Sequence, residues 1–288
     1  MTLAETLATF GMTPPRHFPI GRFVRFPGAG KGQGNKAGWA KLFTPDVAVW
    51  GDFSSGQGEA NVWTSDRHVD PAEAARVLRE AREQMRRAAQ ATRRDQEKVA
   101  RAASQLIAGS KLSSHAYLVK KGFPDLRALV SGTNLIVPMR DVADYSRVLS
   151  VQTISEAGEK LFLRGGRTAG AVFRMGATEK AADRSVLCEG YATGLTLIEA
   201  LQRLRGRPTV IVCFSAANLE RVAKHFPGAF VAADNDHPNK LTGVKAGEAA
   251  AIATGLKWSM PPTIGTDFND MHQSEGIHAV VEVLRTAF

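Results

Sequence analysis

Beyond residue 179 the chain alternates between two patterns. Short apolar runs at 186–189, 210–214, 229–233 and 257–260 have the length of buried strands. Each is followed by a longer stretch, at 194–205, 217–226, 243–254 and 277–286, in which apolar residues recur at helical spacing. This alternation predicts an α/β fold, a mostly parallel sheet with helices covering both faces. Ligands of such sheets bind beyond the carboxyl ends of the strands.

Upstream the pattern is less regular. Residues 1–68 are rich in Gly, Pro and aromatics and predict short strands at 22–26, 38–43 and 47–50. The Gly- and Lys-rich stretch 27–36 lacks the Gly-Lys-Ser/Thr ending of a phosphate loop and predicts a flexible basic loop. Asp70, Pro71 and Glu73 form a strong helix start, and the helix runs to about residue 108, where Gly109 ends it. It carries nine Lys or Arg residues and reads first as a solvated strut. Residues 110–178 mix turns with strands at 135–138, 148–151, 160–163 and 171–174, a small α+β pattern. The expected plan is therefore a β-rich basic region (1–68), a long Arg-rich helix (69–109), a basic α+β subdomain (110–178) and a C-terminal α/β domain (179–288).

Composition narrows the setting. Of 288 residues 44% are hydrophobic, and no run approaches the roughly 20 apolar residues of a membrane span. The first ten residues lack a basic-then-apolar leader, which predicts a cytoplasmic protein with no membrane partner. Cys188 and Cys213 each lie inside an apolar run; they predict buried, reduced thiols and exclude a zinc ribbon. The net charge of +9 is uneven: residues 179–288 carry 11 Lys/Arg against 12 Asp/Glu, while residues 1–178 carry 26 against 16. A polyanion held by the basic part and processed in the acidic part accounts for this division.

The acidic part has a defined focus. One apolar run ends in Glu189-Gly190 and another in Asp234-Asn235-Asp236. Alternate strand residues point the same way, so Asp234 and Asp236 can project together. Three carboxylates converging at strand ends repel one another unless a cation neutralises them. With no His or Cys cluster competing, hard oxygen-liganded Mg²⁺ or Mn²⁺, as a pair of ions, is the expected cofactor. Asp267 and Asp270 add two acids in a loop after the last strand, where capping is the plainer alternative. In the basic part, Arg22, Arg25, Lys36 and Lys41 lie among Phe23, Phe26, Trp39 and Trp50; most of these rings should build a small core and one or two, Trp39 among them, should stack on bases.

The Glu-Gly at one strand end, the Asp-x-Asp at another and the later acidic loop resemble the Toprim domain of bacterial primases, topoisomerases and related nucleases. Residues 188–194, 214–219, 233–236 and 267–270 are similar to primases of conjugative plasmids and satellite phages. So are Val137-Pro138-Met139-Arg140-Asp141, Leu163-Arg164-Gly165-Gly166-Arg167 and, near the N-terminus, Arg25-Phe26 and Trp50-Gly51-Asp52-Phe53. The resemblance implies a nucleotidyltransferase that makes short primers on a single-stranded DNA template from nucleoside triphosphates, working with a separate replicative helicase or relaxase. It implies catalytic Glu189, Asp234 and Asp236, with Asp267 or Asp270 assisting the metal. Glu189 either binds metal or accepts the proton of the attacking hydroxyl. Arg140, Arg164 and Arg167 would clamp phosphates, with Lys120, Lys121 and Lys160 as weaker candidates. The family's zinc ribbon and helicase are not matched. The rival readings are a Toprim nuclease and a non-catalytic single-strand-binding accessory protein.

Overall fold

A computed structural model describes all residues except 54–59, 66–70, 179–183, 241–242 and 288, and the side chains of 71, 73, 74, 78 and 287. The chain divides into two compact units, Met1–Arg93 and Arg94–Phe288. Asp70, the expected helix cap, lies outside the described residues.

The first unit is built on an antiparallel sheet in the order β1 (Phe23–Phe26), β2 (Gly38–Thr44), β3 (Val47–Asp52), β4 (Asn61–Thr64). The strand alternation sends Phe26, Ala40, Ala48 and Trp50 to one face, where Leu3 and Leu7 of α1 (Leu3–Thr9) cover them with Met12 and Phe18. Trp39, Val47 and Val49 face the other way and pack under Val77 and Ala81 at the start of α2 (Pro71–Gly109). The loop at 27–36, expected to be flexible, is fastened at both ends. Asn35 Oδ1 accepts the Gly28 and Ala37 amides, and Asp52 Oδ2 accepts the Ala29 amide at 2.7 Å. Gly28 lies so close to Asp52 that a Cβ there would stand 2.7 Å from both carboxylate oxygens.

In the second unit one sheet runs through both segments read separately from the sequence. Its order is β14 (Lys257–Ser259), β13 (Phe230–Ala232), β11 (Arg184–Cys188), β12 (Pro208–Val212), β10 (Ala171–Gly176), β7 (Asn134–Asp141), β6 (Ala128–Ser131), β5 (Lys111–Ser113). β8 (Val148–Ile154) also pairs with β7, and β9 (Lys160–Phe162) pairs with β8. The first four strands are parallel. β10 is antiparallel to β12 on one edge and to β7 on the other, with Ala171 and Val172 fully buried at the join.

Helices cover both faces, as the alternation predicts. Val186, Cys188, Val210 and Val212 pack against α4 (Tyr191–Arg203), α7 (Phe268–Glu275) and α8 (Ile277–Ala287). Leu187, Ile211, Cys213 and Val231 pack against α5 (Ala216–Ala223) and α6 (Ala246–Thr254). The short α3 (Ala116–Lys120) buries Tyr117 and Leu118 against Leu135, Val137 and Ile154. Both thiols are buried and free, as expected. Among the described residues no helix is long and apolar enough to cross a membrane.

Candidate active site

The three leading acids emerge where parallel strands end. β11 runs straight into Glu189, and Gly190 starts α4. The neighbouring chain is stitched to this point: Cys213 donates its amide to the Cys188 carbonyl and Phe214 to that of Glu189. Phe214 takes a left-handed backbone, φ 68°, which a bulky residue adopts only where its surroundings demand it. The turn it makes places Ser215 as the cap of α5 and sets the Ala216 amide where it favours the ionised form of Glu189. Glu189 Oε1 is buried with no hydrogen-bond partner. Burial, then the charge of Asp236, pushes the Glu189 carboxyl up to about 7.

Asp234 and Asp236 follow β13, with Asn235 between them as the fastener. Its amide donates to Thr266 O at 3.0 Å and its Nδ2 to Pro261 O at 2.8 Å. Its Oδ1 accepts from Lys245 Nζ at 3.0 Å. Asp236 Oδ2 accepts the Gly247 amide at 2.8 Å, in the first turn of α6. Asp234 Oδ1, like Glu189 Oε1, is buried without a partner. Burial first, then Glu189, Asp267 and Asp236, push the Asp234 carboxyl up to about 8, against the opposing field of Lys160. Helix α6 reaches Asp234 this closely because residue 247 is glycine: a Cβ there would lie 2.4 Å from the Asp234 carbonyl oxygen.

Asp267 and Asp270 belong to a helix, where an acidic loop was expected. They form the capping box of α7: Asp267 Oδ1 accepts the amides of Asn269 and Asp270, and Asp270 Oδ2 accepts that of Asp267. Asp267 Oδ2 accepts the Thr193 hydroxyl at 3.1 Å, and Asp270 Oδ1 pairs with Lys121 Nζ at 3.3 Å. Asp267 still lies near enough to Asp234 to add to its burden of charge. Among the described residues, no three His, Cys, Asp or Glu side chains stand in a metal-ligating cluster. Two buried carboxylates with orphaned oxygens nevertheless have the hard donor chemistry a divalent cation takes, so these residues fit such an ion.

The expected phosphate clamp is differently employed. Arg140 Nη1 donates to the carbonyls of Tyr145 and Ser146, and its guanidinium lies 5.5 Å from the Tyr145 ring centre; it holds its own turn. Arg167 pairs with Asp141 at 3.3 Å and donates to Ala169 O. Arg164 is exposed. Lys121 is tied to α7 by its side chain and by its carbonyl, which accepts Asn269 Nδ2, and the Lys120 carbonyl accepts Gln273 Nε2. Lys160, the weakest candidate from sequence, is the cation whose field reaches Asp234, from the exposed strand β9.

Sequence reasoning passed over two residues that position the site. Asn235 carried a signal, as the one neutral residue between two acids. Asn218 is buried and staples three elements, accepting from the Gly170 amide and donating to Ala171 O and Cys213 O. In the first unit Arg22 and Lys36 are exposed, and Lys41 donates to Gln84 Oε1. Trp39 cannot stack on a base as expected: it is 1% exposed, in the core under α2.

Residues 184–278 match the Toprim domain family, and the strand-end acids described above sit inside that span. Over 283 residues, 90% of the chain, the sequence is 29% identical to DNA primase TraC of Escherichia coli, and the chain spans about a quarter (26%) of that protein's length. The expected resemblance to Toprim-domain DNA primases, and the α/β fold with it, is borne out. Among solved structures the chain is distantly similar to the primase fragment of the bacteriophage T7 primase-helicase protein (15% identity, TM-score 0.40, 61% of this chain and 75% of that one). It is similarly distant from a DNA primase domain of Pseudomonas aeruginosa (15% identity, TM-score 0.36, 56% and 53%).

Proposed function

We propose that this chain is the catalytic core of a DNA primase, joining nucleotides into short primers on single-stranded DNA by metal-dependent nucleotidyl transfer. The motif resemblance extends the proposal to replication or transfer of plasmid or phage DNA, alongside a separate helicase or relaxase. The observation that carries the reading is the pair of buried, unpartnered carboxylate oxygens, Glu189 Oε1 and Asp234 Oδ1, at neighbouring strand ends.

Primer extension forms a bond from a 3′-oxygen to the α-phosphorus of a nucleoside triphosphate and releases pyrophosphate. The step needs positioning and charge neutralisation more than covalent help from the protein. A divalent ion, when bound, supplies the positive charge opposite the transferred phosphate; Glu189, Asp234 and Asp236 would hold it, with Mg²⁺ or Mn²⁺ matching their oxygen donors. If Glu189 is not a ligand of the ion, its buried oxygen at the strand end is the one suited to take the proton of the attacking hydroxyl. Asp236 is held by the α6 amide, and Asp267 and Asp270 support the site from the α7 cap. Lys160 and exposed Arg164 are the cations proposed to meet the triphosphate; Arg140, Arg167 and Lys121 shape the loops around it.

The test is synthesis of labelled oligonucleotides from nucleoside triphosphates on a single-stranded template with Mg²⁺. Asp234→Asn should abolish product by at least 100-fold while template binding persists. Wild-type synthesis by that variant would refute the metal assignment, and degradation of the template by the native protein would give the site to a nuclease.

A further inference from the structure

We infer that the first unit carries a base-stacking platform for single-stranded DNA made by Phe23 and Phe53, with Arg25 between them and the phosphate backbone. The inference deepens the reading above, in which the chain works on a single-stranded template.

Phe23 and Phe53 both contact the Trp39 ring. Phe23 stacks on Trp39 with centroids 5.1 Å apart and planes 16° apart, and Phe53 also meets Trp39, with centroids 5.8 Å apart and planes tilted by 31°. Trp39 is buried, while Phe23 is 48% and Phe53 45% exposed. The two phenylalanines therefore present apolar surface from a rigid aromatic base. Register explains the arrangement: Arg25 pairs with Trp39, and Phe23 with Lys41, so alternate residues of β1 and β2 share this face. Arg25 is fixed as well, its Nε donating to Lys36 O at 2.5 Å and its guanidinium lying 4.8 Å from the Phe53 ring centre.

The occupant follows from charge. Arg25 lies over the Phe53 ring and is itself exposed, and Lys41 stands opposite Phe23 in the strand register. Exposed aromatics framed by cations suit a ligand that alternates flat apolar faces with negative charge. A single strand does so, whereas duplex bases are already stacked on each other.

Binding of the full chain to a labelled oligothymidylate, read by fluorescence anisotropy without nucleotides or metal, tests this. Each ring removed should weaken binding roughly 5- to 150-fold, the worth of one base stack. Phe23→Leu with Phe53→Leu keeps apolar cover over Trp39 and should lose affinity like the alanine pair, whereas Phe23→Tyr with Phe53→Tyr should keep it. Arg25→Ala should lower the dependence of affinity on salt, and the phenylalanine variants should leave that slope unchanged. Wild-type affinity in the leucine pair, or an equal loss on duplex DNA, would overturn the platform and give the face to another occupant. Since neither metal nor nucleotide is present, the result is independent of whether primers are made.

Discussion

Replacing Asp234 with asparagine should stabilise the protein at high pH while removing its chemistry. In the folded chain the Asp234 carboxyl is raised from 3.8 to about 8 by burial and by the acids around it. Ionising it there would cost at most about 6 kcal/mol, at 1.36 kcal/mol for each tenfold in proton affinity. Glu189 shares this burden, because protonating either carboxyl relieves the other, and water entering the cleft lessens it. About 1–3 kcal/mol should return when asparagine, nearly isosteric and neutral, takes the position. The sign follows from linkage. Below about pH 4 both folded and unfolded chains hold the proton and the substitution changes little. Between about pH 4 and pH 8 the unfolded chain releases a proton that the folded one retains, so native stability falls as pH rises; above pH 8 the penalty is constant.

The assay is thermal unfolding of the native chain and Asp234→Asn at pH 5 and pH 8.5, each with chelator or with Mg²⁺. In chelator at pH 8.5 the variant should melt higher by about 2–4 °C for each kcal/mol regained, and at pH 5 the gap should shrink. Saturating Mg²⁺ should raise only the native chain, by about 2.7 kcal/mol at a hundred times its dissociation constant. The reasoning fails if the variant melts no higher than the native protein at pH 8.5, or if Mg²⁺ lifts both alike.

Gly247→Ala puts a methyl 2.4 Å from the Asp234 carbonyl oxygen, so the start of α6 must shift; unfolding in urea should show a loss of about 1–3 kcal/mol, with weaker stabilisation by Mg²⁺. Asp267→Ala removes the α7 cap and should cost about 0.5–2 kcal/mol, which Asp267→Ser largely restores, while the Mg²⁺-induced shift in melting persists in both variants because every Asp267 oxygen already has a protein donor.

Much of the site was legible because strand ends and carboxylates are local features. The apolar runs before Glu189 and Asp234 announce β11 and β13, and their acids emerge at the ends of parallel strands as the topology rule requires. What escaped depends on distant pairing. The union of β7 and β12 through β10 is invisible in a run reading Ala-Val-Phe-Arg, because nothing in it says that both edges find partners. The burial of Trp39 comes from α2, some forty residues further on, laying Val77 and Ala81 over that face. Helix α7 was hidden by its own start: Asp267 and Asp270 at three-residue spacing are a capping box and also an acidic loop, and only the amides they accept decide between the two. Arg140 is a clamp in sequence and a turn fastener in space, since the carbonyls it meets belong to a turn five and six residues later.

The triplet Asp234-Asn235-Asp236 divides its labour in a way the burial makes intelligible. If the two acids fixed the loop, their oxygens would be occupied by donors and their charge dispersed. The neutral residue instead takes the structural bonds: its backbone and side chain bind Thr266, Gly265, Pro261 and Lys245. Asp236 gives one oxygen to Gly247, and Asp234 keeps Oδ1 unpartnered in a place where an uncompensated charge is costly. Asn235→Ala would therefore injure the site without touching a charge, because the loop would lose its hold on Pro261 and Lys245 while both acids remained. With Asn235 supplying the loop's fastenings, Asp234 Oδ1 is left without a donor from the chain, which is what the proposed metal site requires of it.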